Sequence, residues 1–201
     1  MDLEAVQLFT SLLSVVALVG SLILLMMRIL MNRVAWFGAV IESFALAGLW
    51  VAALVATVAT LGSLYFSEVA GYVPCQLCWY QRIAMYPLAV ILLIAALRRD
   101  RNAVWYVLPI AAVGAGIAAW HRLVELRPQL ESTSCSAVGP SCAATWFERF
   151  GFVTLAFMAF SGFISIMVLS LIASIWAPGS HSEDADSSTV LSSSSPRSEN
   201  Q

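Results

Sequence analysis

The sequence predicts an all-α, polytopic membrane protein, and three observations carry that prediction. Sixty per cent of the 201 residues are hydrophobic and 11% are charged, whereas a soluble domain carries about 25% charged residues. The apolar residues fall into runs long enough to cross a bilayer. The charges gather in the short stretches between those runs, as in Arg28 and Arg33 or in Arg98, Arg99 and Arg101. No core of this size hides so much apolar surface, so the solvent is the bilayer. A net charge of −2 gives no footprint for nucleic acid.

Five spans follow in order. Ala5 to Met27 holds 23 residues without a charge, sufficient for a crossing. Acidic Asp2 and Glu4 precede it and Arg28 and Arg33 follow it, the reverse of a cleaved signal peptide. An uncleaved helix with its N-terminus outside is therefore expected. The second span runs from Ser43 to Phe66. Ile83 to Leu97 has only 15 residues, too short for a crossing unless its helix starts near Cys75 or Leu77. That shortfall puts a Cys-x-x-Cys pair in the first turn of the third helix, at the membrane interface.

Arg98 to Asn102 makes a tight basic turn, and Ala103 to Trp120 is the fourth span. Pro109 inside it is tolerable where neighbouring helices satisfy the backbone. His121 to Glu148 is polar, and the fifth span lies within Phe150 to Ala177. The Ser-rich remainder, with Glu183, Asp184 and Asp186, is expected to be disordered. The positive-inside rule places Arg28, Arg33, Arg98, Arg99 and Arg101 in the cytoplasm, against Arg82, Arg122, Arg127 and Arg149 outside. Two helices separate the two cysteine pairs, so both pairs face one side whatever the absolute orientation.

The chemistry centres on four cysteines. Cys75 and Cys78 have the spacing of a reducible disulfide, and a helix N-terminus favours the thiolate. A redox dithiol, a structural disulfide and half of a zinc site all fit that pair alone. Zinc needs four converging ligands, and Cys135-x6-Cys142 lacks the close spacing of a zinc knuckle, so no metal is expected. Trp79 stands where a c-type haem site needs His. Cys135 and Cys142 lie in a polar loop, where they form either a small staple or an exposed, exchangeable bond. Arg82 shares a helical face with both first cysteines, and its charge suits a thiolate or an electron-rich acceptor oxygen. His121 lies on the same side as the cysteines. Both residues also read as ordinary interfacial side chains.

The run Pro74-Cys75-x-x-Cys78-x-Tyr80-x-Arg82 resembles the signature of the disulfide-bond formation protein B family, including its Gram-positive BdbC type. The likeness extends through His121 and through Cys135-x6-Cys142 followed by Trp146-Phe147-Glu148-Arg149-Phe150-Gly151-Phe152. It implies a four-helix membrane bundle, here over residues 43–177; hydropathy and composition add an N-terminal helix and loop in 1–42 and a disordered cytoplasmic tail in 178–201. It also implies an enzyme of the cytoplasmic membrane that reoxidises an extracytoplasmic thioredoxin-fold thiol oxidase and reduces a quinone, ubiquinone or menaquinone.

Carried onto this sequence, the resemblance implies that the partner attacks Cys135 and that the released Cys142 attacks Cys75. Cys78 is then the thiolate facing the quinone, with Arg82 and His121 polarising the quinone oxygens. The extra first span departs from the family's four-span core, and the short Cys135–Cys142 spacing departs from the enterobacterial form. A vitamin K epoxide reductase-like enzyme fits less well, because there the loop pair precedes the Cys-x-x-Cys. A transporter or structural subunit stapled by inert disulfides is the reading from another class.

Overall fold

The computed structural model describes residues 3–30, 35–131, 135 and 139–175, with backbone alone at 35–46 and 175. Its five long helices are α1 (Leu3–Leu30), α2 (Ala35–Leu64), α3 (Gln76–Arg98), α4 (Val104–Leu126) and α5 (Leu155–Ile175). Each holds a segment long and apolar enough to cross a membrane. Among the described residues, extended structure is limited to one isolated bridge, Arg149 to Val153. The expected all-α membrane fold is what forms. Arg33 and the Ser-rich tail 178–201 lie outside the described residues.

Helices α2, α3, α4 and α5 form a ring in which each packs on the next and α5 closes on α2. Their shared core holds Ala52 and Ala56 of α2, Leu88 and Leu92 of α3, Val107 and Ala111 of α4, and Phe163 and Ile166 of α5. Lipid is as apolar as leucine, so close packing of small residues, rather than flight from water, brings such helices together. At Gly114 an added Cβ would overlap the Phe163 ring, and at Gly48 it would meet the Ala173 Cβ at 3.0 Å.

Helix α1 packs chiefly on α5 and also touches α2. Its buried face is Gln7, Ser11, Ser21 and Leu24, while Leu8, Phe9, Leu12, Val16, Val19 and Ile23 point outward. Small and polar residues inside with large apolar ones outside is the pattern of a helix dissolved in lipid.

The two ends of the bundle differ. At one end, Arg99 in left-handed geometry closes α3 (φ 54°), and Asp100 caps the following turn by accepting from the Asn102 N–H at 2.9 Å. This is the basic turn expected there. At the other end lie both cysteine pairs. Helix α2 widens into a π turn at Tyr65–Val69, and Phe66, Tyr72 and Trp146 stack in sequence, with centroids 5.7 and 4.9 Å apart.

Helix α4 runs to Leu126 and not to Trp120, so His121 stands inside it rather than capping it. The polar sequence after Trp120 does not end the helix because Glu125 is satisfied there. Its carboxylate accepts from Arg122 at 2.9 Å and from the Thr154 hydroxyl at 2.7 Å. Thr154 precedes α5, so this contact ties the two helix ends together. Phe150 and Gly151, at φ 55° and 74°, make the sharp reversal that leads into α5.

Candidate functional site: a four-cysteine cluster beside an apolar cavity

Cys75 is the N-cap of α3, following Pro74, with its backbone extended (φ −73°, ψ 174°). Its sulfur accepts from the Cys78 N–H at 3.3 Å, satisfying one of the free amides of the first turn. The short third span therefore does begin at the Cys-x-x-Cys. The two sulfurs lie 2.7 Å apart, less than an ångström beyond the ~2.05 Å of a disulfide.

The second pair is brought to the first. Cys75, Leu77, Val124, Cys135 and Cys142 form one buried cluster, with Cys78 packed against it. The loop cysteines are not exposed as their polar context suggests: Cys135 is 6% accessible and Cys142 fully buried. The loop folds back over the start of α3, so that Cys142 packs in one buried cluster with Leu77. Glu131 holds it there, its carboxylate accepting from the Cys142 N–H and the Ser141 hydroxyl, each at 2.7 Å. Nothing in the spacing of Glu131 singled it out. An acid three residues after Pro128 in a cysteine loop was the available hint.

His121 stands between the pairs. Its Nε2 is 3.2 Å from the Cys142 carbonyl oxygen and 3.7 Å from the Cys75 sulfur, and its Nδ1 is 3.0 Å from the Gln81 amide nitrogen. A carbonyl only accepts, so Nε2 carries the proton and Nδ1 receives the Gln81 N–H. Gln81 thereby fixes the tautomer, a role its sequence context did not suggest.

Two thiols are held protonated. The hydrogen bond to Cys78 and then burial push Cys75 up to about 12, with the His121 contact opposing them. Burial, followed by the hydrogen bond to Cys135, raises Cys142 above the ordinary thiol range.

Beside the cluster lies a cavity of about 320 Å³, within the roughly 300–1,000 Å³ of small-molecule sites. Its wall is mostly apolar, with Cys78, Gln81 and Arg82 on one side. Arg82 is held by donating from Nε and Nη2 to the Ser63 hydroxyl and carbonyl, both at 3.0 Å, and its guanidinium lies 5.3 Å from the Trp79 ring centre. Of the six residues singled out from sequence, Cys78 and Arg82 border this cavity. Cys75, Cys135, Cys142 and His121 do not.

The Cys75 and Cys78 sulfurs and a His121 nitrogen lie within 4.8 Å of one another. Three such donors suit a thiophilic ion, one ligand short of a closed zinc site. Joining Cys75 to Cys78 removes the thiolates that such a site requires.

The family described as "Disulfide bond formation protein DsbB" matches residues 45–173, more than half of the chain. The chain belongs to the DsbB family. Relatives agree with that membership. "Disulfide bond formation protein C" of Bacillus subtilis (strain 168) is 44% identical over 119 residues, covering 59% of this chain and 84% of the relative. "Probable disulfide formation protein C 1" of Bacillus anthracis is 41% identical over 131 residues, covering 65% and 92%. "Probable disulfide formation protein" of Metapseudomonas resinovorans is 44% identical over 121 residues, covering 59% and 83%. No solved structure matches. The DsbB match spans α2 to α5 and leaves α1 outside it. Disulfide formation oxidises two thiols, so membership gives this multi-pass membrane protein an oxidoreductase role.

Proposed function

We propose that this protein is a thiol:quinone oxidoreductase of the cytoplasmic membrane, with its cysteine pairs on the extracytoplasmic side. It reoxidises a thioredoxin-fold thiol oxidase and passes the electrons to ubiquinone or menaquinone. One observation carries the reading: Cys78 belongs both to the four-cysteine cluster and to the wall of the apolar cavity. A dithiol with one sulfur on the wall of an apolar cavity is suited to an apolar acceptor such as one dissolved in the membrane.

A partner thiolate attacks Cys135 in the Cys135–Cys142 disulfide and frees Cys142. Cys142 attacks Cys75 in the Cys75–Cys78 disulfide, forming a Cys75–Cys142 bond and leaving Cys78 as a thiolate on the cavity wall. The partner's second thiol displaces Cys135, which retakes Cys142 and frees Cys75. Cys75 and Cys78 then rejoin, giving up two electrons; the quinone accepts these with two protons. The sum is one partner dithiol and one quinone converted to a partner disulfide and a hydroquinone. Arg82 supports the anionic states at Cys78 and at the acceptor oxygen. His121 acts at the sulfurs, donating toward Cys75, which protects the thiolate that this exchange releases.

Anaerobic mixing of the purified protein with quinone and a reduced thioredoxin-fold oxidase tests the scheme, following quinone absorbance and free thiols together. Quinone loss should match partner oxidation and vanish in Cys78→Ser. If no natural quinone is consumed while all four cysteines stay bonded, the protein is instead a stapled structural subunit.

A further inference from the structure

Helix α1 lies outside the segment shared with the DsbB family, yet it reaches the cavity. Thr10, Leu13, Ser14 and Ala17, one helical stripe, line the same space as Cys78 and Arg82. The Thr10 and Ser14 hydroxyls donate to their own helix, to the carbonyls of Val6 and Ser11, each at 2.8 Å. They therefore need no partner from the cavity. Their small volume leaves the space open, whereas the outward face of α1 carries large apolar residues such as Leu12 and Val16.

The helix is also anchored at the mouth of the cavity. The buried Gln7 amide donates to the Tyr72 hydroxyl at 2.6 Å and accepts from Arg149 Nη2 at 2.8 Å. Tyr72 precedes the first cysteine pair and Arg149 follows the second, so one side chain joins both loops to α1. Tyr72 and its stacked neighbour Trp146 line the cavity too. A side-chain amide satisfied on both sides in an apolar setting fixes rotation and depth, because any slip leaves it unpaired.

We propose that α1 is a wall of the acceptor site, so that residues 10–17 contact the ring of the lipid-soluble quinone and set its affinity. The acceptor class rests on the function proposed above; the wall itself rests on the cavity and the Gln7 anchor. Binding contacts then extend beyond the four-helix ring, and exchange among the cysteines, on the far side of Cys78, does not depend on them.

The test uses the full chain in detergent. A photoreactive short-chain quinone is cross-linked to the wild-type protein, and its equilibrium binding is measured in Ser14→Phe, Ala17→Phe and, on the outward face, Leu12→Phe. Label within residues 3–30 is expected. So is weakening of binding by at least about tenfold in the two cavity variants, with less than about twofold change in Leu12→Phe. Thiol exchange with the partner should persist in all three. Wild-type binding with label confined to other helices, or equal loss in Leu12→Phe, overturns the wall while leaving the quinone reading intact. No quinone binding by the wild-type protein overturns both. If the cavity variants fail to fold, the wild-type cross-link decides.

Discussion

His121 Nε2 lies 3.7 Å from the Cys75 sulfur across the α3–α4 interface, with its proton shared toward the Cys142 carbonyl oxygen. A residue of α4 thereby touches both cysteine pairs at the point where a bond between them would form. His121 does not line the cavity, which is reached at Cys78 and Arg82. Thiol exchange is thus assigned to Cys75 with His121, and acceptor reduction to Cys78 with Arg82.

That separation predicts opposite kinetic signatures. His121→Ala should slow release of the Cys75 thiolate from the Cys75–Cys142 bond by about 10- to 100-fold, the range of a lost hydrogen bond to a charged group, and leave the quinone KM unchanged. His121→Gln, which keeps an N–H, should recover part of the rate. Arg82→Met should raise the quinone KM more than it disturbs the exchange rate, since its charge also supports the Cys78 thiolate. Stopped-flow quench with disulfide mapping separates the two, and a KM change in His121→Ala would place its imidazole at the acceptor.

Glu131 holds the second pair down through two 2.7 Å hydrogen bonds. Removing a charged acceptor of this kind costs about 1.5–3 kcal/mol. Glu131→Ala should therefore release the loop and increase maleimide labelling of Cys142 in the reduced protein by about tenfold or more. Glu131→Gln, with one acceptor oxygen left, should fall between. Labelling equal to wild type in the Ala variant would mean that packing on Leu77 and Val124 alone holds the loop.

The Cys75 thiol sets a pH dependence of defined sign. Its folded value, about 12, exceeds the ordinary 9.0, so the folded state prefers the neutral form. The stability contributed by that preference is complete below pH 9.0 and is lost as pH rises through about 12. The melting temperature of the reduced protein should fall over that window. The protein with Cys75 bonded to Cys78 should lack this component, and parallel melting curves for the two forms would remove the assignment.

Gly114 faces the fully buried Phe163 ring with no room for a Cβ. Gly114→Ala should lower stability by about 1–3 kcal/mol through overpacking, read as a drop in the detergent melting temperature. Gly116→Ala is the control, since nothing lies within 4 Å of its added Cβ, and helix propensity there favours Ala. Phe163→Leu should relieve the Gly114→Ala defect.

Several features were legible in the residues. The spans follow from hydropathy, which is a local property, and the first turn of α3 was placed at Cys75 because Ile83 to Leu97 is too short to cross alone. The burial of Cys135 and Cys142 was not legible. A loop rich in Ser, Gly and Pro reads as solvated, and only its return onto Leu77 and Val124 covers it. Nor did sequence separate the surroundings of His121 from those of Arg82. Both belong to one end of the bundle, and which way each faces depends on how α3 and α4 are rotated against each other.

The sequence alone determined five segments long and apolar enough to cross a membrane, and two cysteine pairs at one end of them, because length, hydropathy and the parity of spans settle those matters without packing. The tertiary structure decided that Cys78 is the sulfur on the cavity wall, that His121 addresses Cys75, and that α1 lines the cavity. Those relations join residues 40 or more positions apart, as in Gln81 to His121 or Gln7 to Arg149. Helix rotation and close packing of small residues bring them together, and no local pattern in the chain encodes either.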